Sequence, residues 1–306
     1  MSNYHTPVML RECIDALAIK PDGVYVDVTF GGGGHSREIL KHLTEKGRLL
    51  AFDQDVDAQQ NIPNDDRLTF IDQNFRYLKN NCRLHGAPTV DGILADLGVS
   101  SHQFDQPERG FSTRFDADLD MRMDQQSALT AREVVNNYGE DQLHKIFGIY
   151  GEIQNAKSLA RSIVTARLNQ SIDTIVDLKS AIVNHIPKGK ENKYLAQVFQ
   201  ALRIEVNQEL EALQDFLSQS VDVLKPGGRL VVMSYHSLED RLVKNFIAKG
   251  KFRGEVEKDF FGNEIKPLVA VSRKAITAGE EEIKLNNRAR SAKLRVAEKI
   301  INSRRD

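Results

Sequence analysis

The sequence predicts an α/β fold: a mostly parallel sheet wrapped by helices and interrupted by a largely helical insert. Three observations predict it. Short β-branched runs alternate with segments of helical apolar spacing; one strand ends in four consecutive glycines; and about 130 residues separate two strands that a usual crossover joins with some 30.

The first strand is Val24 to Phe30, Val-Tyr-Val-Asp-Val-Thr-Phe, which stops at Gly31-Gly32-Gly33-Gly34. From His35 to Leu43, apolar residues at Ile39, Leu40 and Leu43 mark a helix, so the unit reads strand, glycine loop, helix. Arg48 to Phe52 is a second strand ending in Asp53, Leu68 to Ile71 a third and Gly92 to Leu97 a fourth. Pro226-Gly227-Gly228 introduces a further strand, Arg229 to Ser234, and Lys293 to Ala297 is the last. These strands define a discontinuous domain, 1–105 with 207–306.

Residues 106–206 are expected to form the inserted helical domain. Thr130 and Glu133 have capping-box spacing before Val134 and Val135, and Ile153 to Leu168 and Ile175 to Ile186 repeat apolar residues at helical intervals. A longer pattern from Tyr194 to Leu224 leads back into the sheet domain. Lys249 to Ala278 matches no pattern we can assign.

A chain of 306 residues with 41% apolar composition buries a sizeable core. Its net formal charge of -1 rules out a global positive field, so any nucleic-acid contact must be local. Lys266 to Asp306 offers such a place: eleven Lys or Arg against five Asp or Glu, with Arg288, Arg290, Lys293 and Arg295 clustered. That cluster contacts phosphates or is a solvated face; composition leaves both open. Two cysteines, Cys13 and Cys82, have neither zinc spacing nor a disulfide framework. No apolar run of about 18 residues occurs, and Met1 to Leu10 does not read as a signal peptide. A cytoplasmic protein without membrane spans is the expectation.

A strand ending in glycines lets backbone approach a ligand, and the next helix presents unpaired N–H groups to it. Glycine-rich turns also serve plain chain reversal. Asp53, 20 residues after Gly33 (53 − 33), sharpens the reading, because an acid at the end of the second strand can accept both hydroxyls of a ribose. A nicotinamide cofactor and S-adenosyl-L-methionine share that adenosine. Arg37 or Glu38 stands where the dinucleotide fingerprint needs its third glycine, and the late Pro-Gly-Gly turn and final strand look like a Rossmann-like class I methyltransferase sheet.

Seven blocks in order carry a closer resemblance. They are Tyr4-His5-Thr6-Pro7-Val8-Met9-Leu10, Thr29-Phe30-Gly31-Gly32-Gly33-Gly34-His35-Ser36, Asp96-Leu97-Gly98-Val99-Ser100-Ser101, Arg109-Gly110-Phe111-Ser112, Leu119-Asp120-Met121-Arg122-Met123-Asp124, Ser234-Tyr235-His236-Ser237-Leu238-Glu239-Asp240-Arg241 and Asn287-Arg288-Ala289-Arg290-Ser291. Together, over nearly the whole chain, they resemble the bacterial small-subunit ribosomal RNA cytosine-N4 methyltransferases, also called MraW. The resemblance implies S-adenosyl-L-methionine as cofactor, with Gly33, Gly34 and His35 at its methionine end, Asp53 on the ribose, Phe75 beside the adenine, and Asp96 and Gln103 as further contacts. It implies 16S ribosomal RNA as partner, within the small subunit or a late precursor, and one cytidine near the decoding centre as target, cytidine 1402 in that RNA's conventional numbering.

The sulfonium methyl of that cofactor is already electrophilic, so the chemistry asks for placement and for no metal. Cytosine N4 is a poor nucleophile, and an acceptor for its N–H hydrogens would localise the lone pair and help remove a proton. Asp96, at the carboxyl end of the fourth strand, is the first candidate for that acceptor, and His236 a second, reaching in from the end of the fifth strand. Many amino-methyltransferases place two prolines and an aromatic ring after this acid or amide; here the order is Asp96-Leu97-Gly98-Val99. The ring that holds the base is then Phe104, Phe111 or Tyr235, or each of these is packing. Arg109, Arg122 and Arg241, like Arg288 and Arg290, bind phosphate or form structural ion pairs. Ser234, His236 and Glu239 are sequence neighbours without a nucleophile elbow, which argues against a hydrolase.

The nearly charge-balanced insert is expected over the reaction pocket, selecting RNA by shape and not as a general clamp. Two rivals are an oxidoreductase, separable by the mass of its bound cofactor, and a non-catalytic RNA-binding factor, separable by turnover.

Overall fold

In the computed structural model, which describes residues 7–300, nine strands occur: β1 (Val24–Asp27), β2 (Arg48–Asp53), β3 (Leu68–Asp72), β4 (Val90–Asp96), β5 (Leu224–Ser234), β6 (Glu257–Lys258), β7 (Glu264–Ile265), β8 (Leu268–Ala270) and β9 (Lys293–Lys299). Tyr4, His5 and Thr6 of the N-terminal block lie outside the described residues. The main sheet runs β3-β2-β1-β4-β5-β9-β8. β3 to β5 are parallel, and β9 pairs antiparallel with both β5 and β8.

Alternation along each strand builds two cores. Val26, Leu50, Phe52, Ile93, Ala95, Leu230 and Val232 point to one face, against Leu78, Phe216, Leu217 and Phe246 of the helices there. Tyr25, Leu49, Leu94, Val231 and Met233 point to the other, against Ile14, Leu17, Ile39 and Leu40. Both faces are therefore covered, as near-continuous apolar parallel strands require.

Strand ends differ from the sequence expectation where glycine or a change of partner intervenes. β1 stops at Asp27 because the chain then bonds alternately to two neighbours: Val28 N donates to the Leu94 carbonyl and Phe30 N to that of Phe52, both at 2.9 Å. β5 begins before Pro226-Gly227-Gly228; Gly227 sits at a φ of 77°, and the pairing with β4 slips between Val90 and Gly92. The stretch left unassigned, 249–278, contains the β6-β7 hairpin and the edge strand β8.

By contacts, one unit is Val99–Glu209, and the other joins the segments through Gly98 and from Leu210. This places the unit's first residue at Val99, earlier than 106, because Val99 and Phe104 pack on its own helical core. Its helices are Ser101–Asp105, Ala131–Asn137, Glu140–Ile149, Ala156–Arg167, Ile175–Ile182 and Glu191–Asn207. Leu143, Phe147, Leu159, Ile163, Leu178, Val198 and Leu202 form its centre. The long apolar pattern from Tyr194 is two helices, Glu191–Asn207 and Glu209–Val223, broken at Gln208, whose φ is 49°. Among the described residues, no helix is long and apolar enough to cross a membrane.

Candidate functional site

Parallel strands place their carboxyl ends along one edge of the sheet, so Asp27, Asp53 and Asp96, the last residues of β1, β2 and β4, gather there. Asp27 fastens the glycine loop at both ends. Its Oδ1 accepts from the Thr29 amide at 3.1 Å, and its Oδ2 from the Ser36 hydroxyl at 2.7 Å. Thr29 Oγ1 in turn accepts from the Asp96 amide at 2.7 Å, tying the loop to β4. Burial raises the Asp27 carboxyl above its ordinary range, and the bonds from Ser36 and Thr29 pull it back.

Gly33 closes the turn. Its amide donates to the Phe30 carbonyl at 2.7 Å, and its φ of 72° is the left-handed region that glycine enters without penalty. The helix Gly34–His42 starts immediately after it. Asp53 accepts the Gly31 amide at 2.7 Å on Oδ2 and the Asp55 amide at 2.9 Å on Oδ1. Each oxygen keeps a lone pair, enough for a vicinal diol. Burial pushes this carboxyl up to about 6, against the two amide bonds. Phe75, half-buried after β3, stands edge-on to Phe216 with centroids 5.6 Å apart.

Asp96 holds the centre. Its Oδ1 accepts the Tyr235 hydroxyl at 2.7 Å, and its Oδ2 lies 3.8 Å from Nδ1 of His35. Burial pushes the Asp96 carboxyl up to about 6; His35 and the Tyr235 bond act the other way, while Asp27 and Glu239 add to the rise. Burial also lowers the His35 imidazole, against the Asp96 charge and a bond to the Val8 backbone. Among the described residues, His35 Nε2 is buried without a hydrogen-bond partner. Burial, and then the Asp96 charge, hold the Tyr235 phenol well above its ordinary value, so it is a donor throughout the accessible pH range.

His236 follows the end of β5 and has a structural role there. It caps the helix Ser237–Lys249, and Glu239 returns its Oε2 to the Tyr235 amide at 2.9 Å. His236 Nε2 lies 3.2 Å from the other Glu239 oxygen. Arg241 and Arg290 are exposed, and Arg288 is half-buried on the turn Asn287–Ser291. Of the basic cluster near the C-terminus, Lys293 and Arg295 pair with Asp240, at 3.3 and 2.7 Å.

Within the insert unit, Gln103 is buried in a capping box: its Oε1 accepts the Ser100 amide and its own amide donates to Ser100 Oγ, both at 3.1 Å. Arg109, only 6% exposed, donates to the carbonyls of Arg122 and Met123 at 3.0 and 3.2 Å. Phe111 is buried in the helical core. Arg122 grips Asp120 through two nitrogens and donates to the carbonyls of Gln125 and Ser127. Of the alternatives left open for these two arginines and Phe111, the structure shows the packed and paired arrangement within the insert's own framework. Phe104 also packs on that core, with the Arg114 guanidinium 5.1 Å from its ring.

Sequence reasoning missed Asp27 and Glu239. A carboxylate inside the apolar run of β1, and an acid three residues after His236, were the available signals.

The strand order with its single reversed strand, and the acids at the ends of β1, β2 and β4, define a Rossmann-like class I methyltransferase sheet. The sequence profile of the MraW methylase family matches residues 2–300, and the chain belongs to that family. It is 59% identical over 297 residues to "Ribosomal RNA small subunit methyltransferase H" of Flavobacterium johnsoniae, covering 97% of this chain and 98% of that protein. The protein of the same name from Cytophaga hutchinsonii is 58% identical over 301 residues, covering 97% and 99%. Among solved structures, an rRNA methylase from Streptococcus thermophilus aligns over 98% of this chain and 100% of its own, with TM-score 0.41 and 11% identity. The fold assignment rests on the strand order and not on that likeness.

Proposed function

We propose that this protein transfers the methyl group of S-adenosyl-L-methionine to N4 of one cytidine in small-subunit ribosomal RNA, in the cytoplasm and on an assembled or nearly assembled subunit. The observation that carries the reading is Asp96 at the end of β4, fixed on one oxygen by Tyr235 and half-buried beside the glycine loop. The names of the 59% and 58% identical relatives support the RNA substrate.

The residues fit the cofactor. Asp53 retains an acceptor on each oxygen for a ribose diol, and the buried Nε2 of His35 has no partner among the described residues. Gly33, Gly34 and His35 would hold the methionine end and Phe75 would flank the adenine. When bound, the sulfonium supplies an electrophilic methyl. Asp96 would accept an N–H of the target amine through Oδ2, localising the nitrogen lone pair, and would take the proton that N4 releases as the methyl–sulfur bond gives way to the N–C bond. The half-buried setting of Asp96 strengthens that contact relative to open water. Gln103 would be a further cofactor contact, and the insert, which leaves the chain just after Asp96, would serve substrate selection, with Arg241, Arg288 and Arg290 as surface contacts for phosphate.

The test is incubation with radiolabelled S-adenosyl-L-methionine and, separately, small subunits, naked ribosomal RNA and DNA from a strain lacking the enzyme. Label in N4-methylcytidine from subunits supports the reading. Bound cofactor without transfer to any RNA overturns it.

A further inference from the structure

The β4-β5 register pairs Asp96 with Met233, and the Leu97 amide donates to the Met233 carbonyl at 3.0 Å. This pairing carries the end of β5 past Asp96, so that Tyr235, the residue after the strand, meets it. Gly98 sits at a φ of 95°, and a Cβ built there would come 3.5 Å from Tyr235 Cδ2. The tyrosine ring therefore runs beside the bare backbone that follows Asp96, the segment Leu97-Gly98-Val99 that lacks an aromatic residue of its own. The two other candidate rings are committed elsewhere, Phe111 to the insert core and Phe104 to that core and Arg114. Tyr235 is half-buried, with its hydroxyl turned to the carboxylate.

We propose that Tyr235 positions Asp96 through its hydroxyl and walls the target base with its ring, supplying from β5 the aromatic group absent after β4. The inference rests on the amino-methylation reading above. With Oδ1 engaged, Oδ2 is the oxygen left to accept from the substrate amine. A ring standing against the same carboxylate is placed to stack an unpaired pyrimidine, and such stacking tolerates any planar base. The two roles separate chemically, since phenylalanine keeps the ring and loses the bond.

Among the described residues, the groups facing Asp96 are His35 from the helix Gly34–His42, Asp27 from β1, Glu239 from the helix Ser237–Lys249, Cys13 from the helix Leu10–Leu17, and Tyr235 itself. Only the Tyr235 bond is removed by Tyr235→Phe. Because that bond favours the ionised carboxylate, its loss moves the acid limb of the pH–rate profile to higher pH.

The experiment compares wild type, Tyr235→Phe and Tyr235→Leu in turnover of small subunits and in binding of free cytidine, followed by NMR in the presence of S-adenosylhomocysteine. Tyr235→Phe is expected to lower kcat about tenfold or more, to keep KM and cytidine affinity within about twofold, and to shift the acid limb upward. Tyr235→Leu is expected to lose kcat similarly and to weaken cytidine binding about fivefold or more. S-adenosylhomocysteine affinity reports an intact site in each variant. Wild-type kcat and pH profile in Tyr235→Phe would overturn the positioning role; unchanged cytidine binding in Tyr235→Leu would overturn the ring's role. A wild-type protein that neither binds cytidine nor methylates subunits would instead defeat the functional reading beneath it.

Discussion

The hydroxyl of Tyr235 donates to Oδ1 of Asp96 at 2.7 Å, joining the residue after β5 to the last residue of β4. The bond fixes the rotation of a carboxylate whose other oxygen lies 3.8 Å from His35. A half-buried acid held on one side can accept on the other, and the predictions below follow from that asymmetry.

Asp96→Asn keeps an oxygen for Tyr235 but loses the charge that accepts a proton. Methyl transfer is expected to fall about 10²- to 10⁴-fold, with S-adenosylhomocysteine affinity changed far less. Single-turnover transfer and calorimetric binding check both halves.

With the Asp96 carboxyl near 6, the ionised acceptor predominates above that pH. The rate is therefore expected to rise through pH 5 to 7 and to level off, measured on saturating subunits. Stability runs the opposite way. A carboxyl raised from 3.8 to about 6 binds its proton more tightly in the folded state, so it favours folding below pH 4 and that contribution is lost as pH rises through 6. Asp96→Asn should accordingly raise the melting temperature by about 2 °C or more at pH 7.5 and by little at pH 4, in thermal scans.

Gly33→Ala forces an L residue to a φ of 72° and brings its Cβ to 2.8 Å from Phe30 Cζ. A destabilisation of about 1–2 kcal/mol by urea unfolding is expected, together with weakened cofactor binding as the loop shifts. Unchanged stability would contradict the tight turn.

Arg122→Ala is expected to act on the insert's stability and not on phosphate contact. Loss of the paired bonds to Asp120 and of two carbonyl partners should cost about 1–3 kcal/mol, read by urea unfolding. The salt dependence of subunit binding should keep its slope, where a lost phosphate contact would lower it.

Much of the sheet was legible because its strands are β-branched runs buried on both faces, and the places of Asp53 and Asp96 at strand ends were legible because the apolar runs stop at them. The meeting of Tyr235 with Asp96 was not, since it depends on the β4-β5 register across 139 residues of sequence separation. Gln208 was hidden because apolar spacing continues through it while the backbone turns left-handed. Strands β6 to β8 are two or three residues long with mostly exposed side chains, and Phe260, at the hairpin, is 97% exposed. Segments that short carry no period. Arg109 and Phe111 stay open in sequence between packing and RNA contact because burial of an arginine beside a phenylalanine leaves no linear signature.

The most direct measurement is nucleoside mass spectrometry of small-subunit RNA from cells lacking this gene and carrying either the wild-type protein or Asp96→Asn. The account predicts N4-methylcytidine at one position with the wild type and its near-complete loss with the variant expressed at equal level. Full methylation in the Asp96→Asn strain would contradict it.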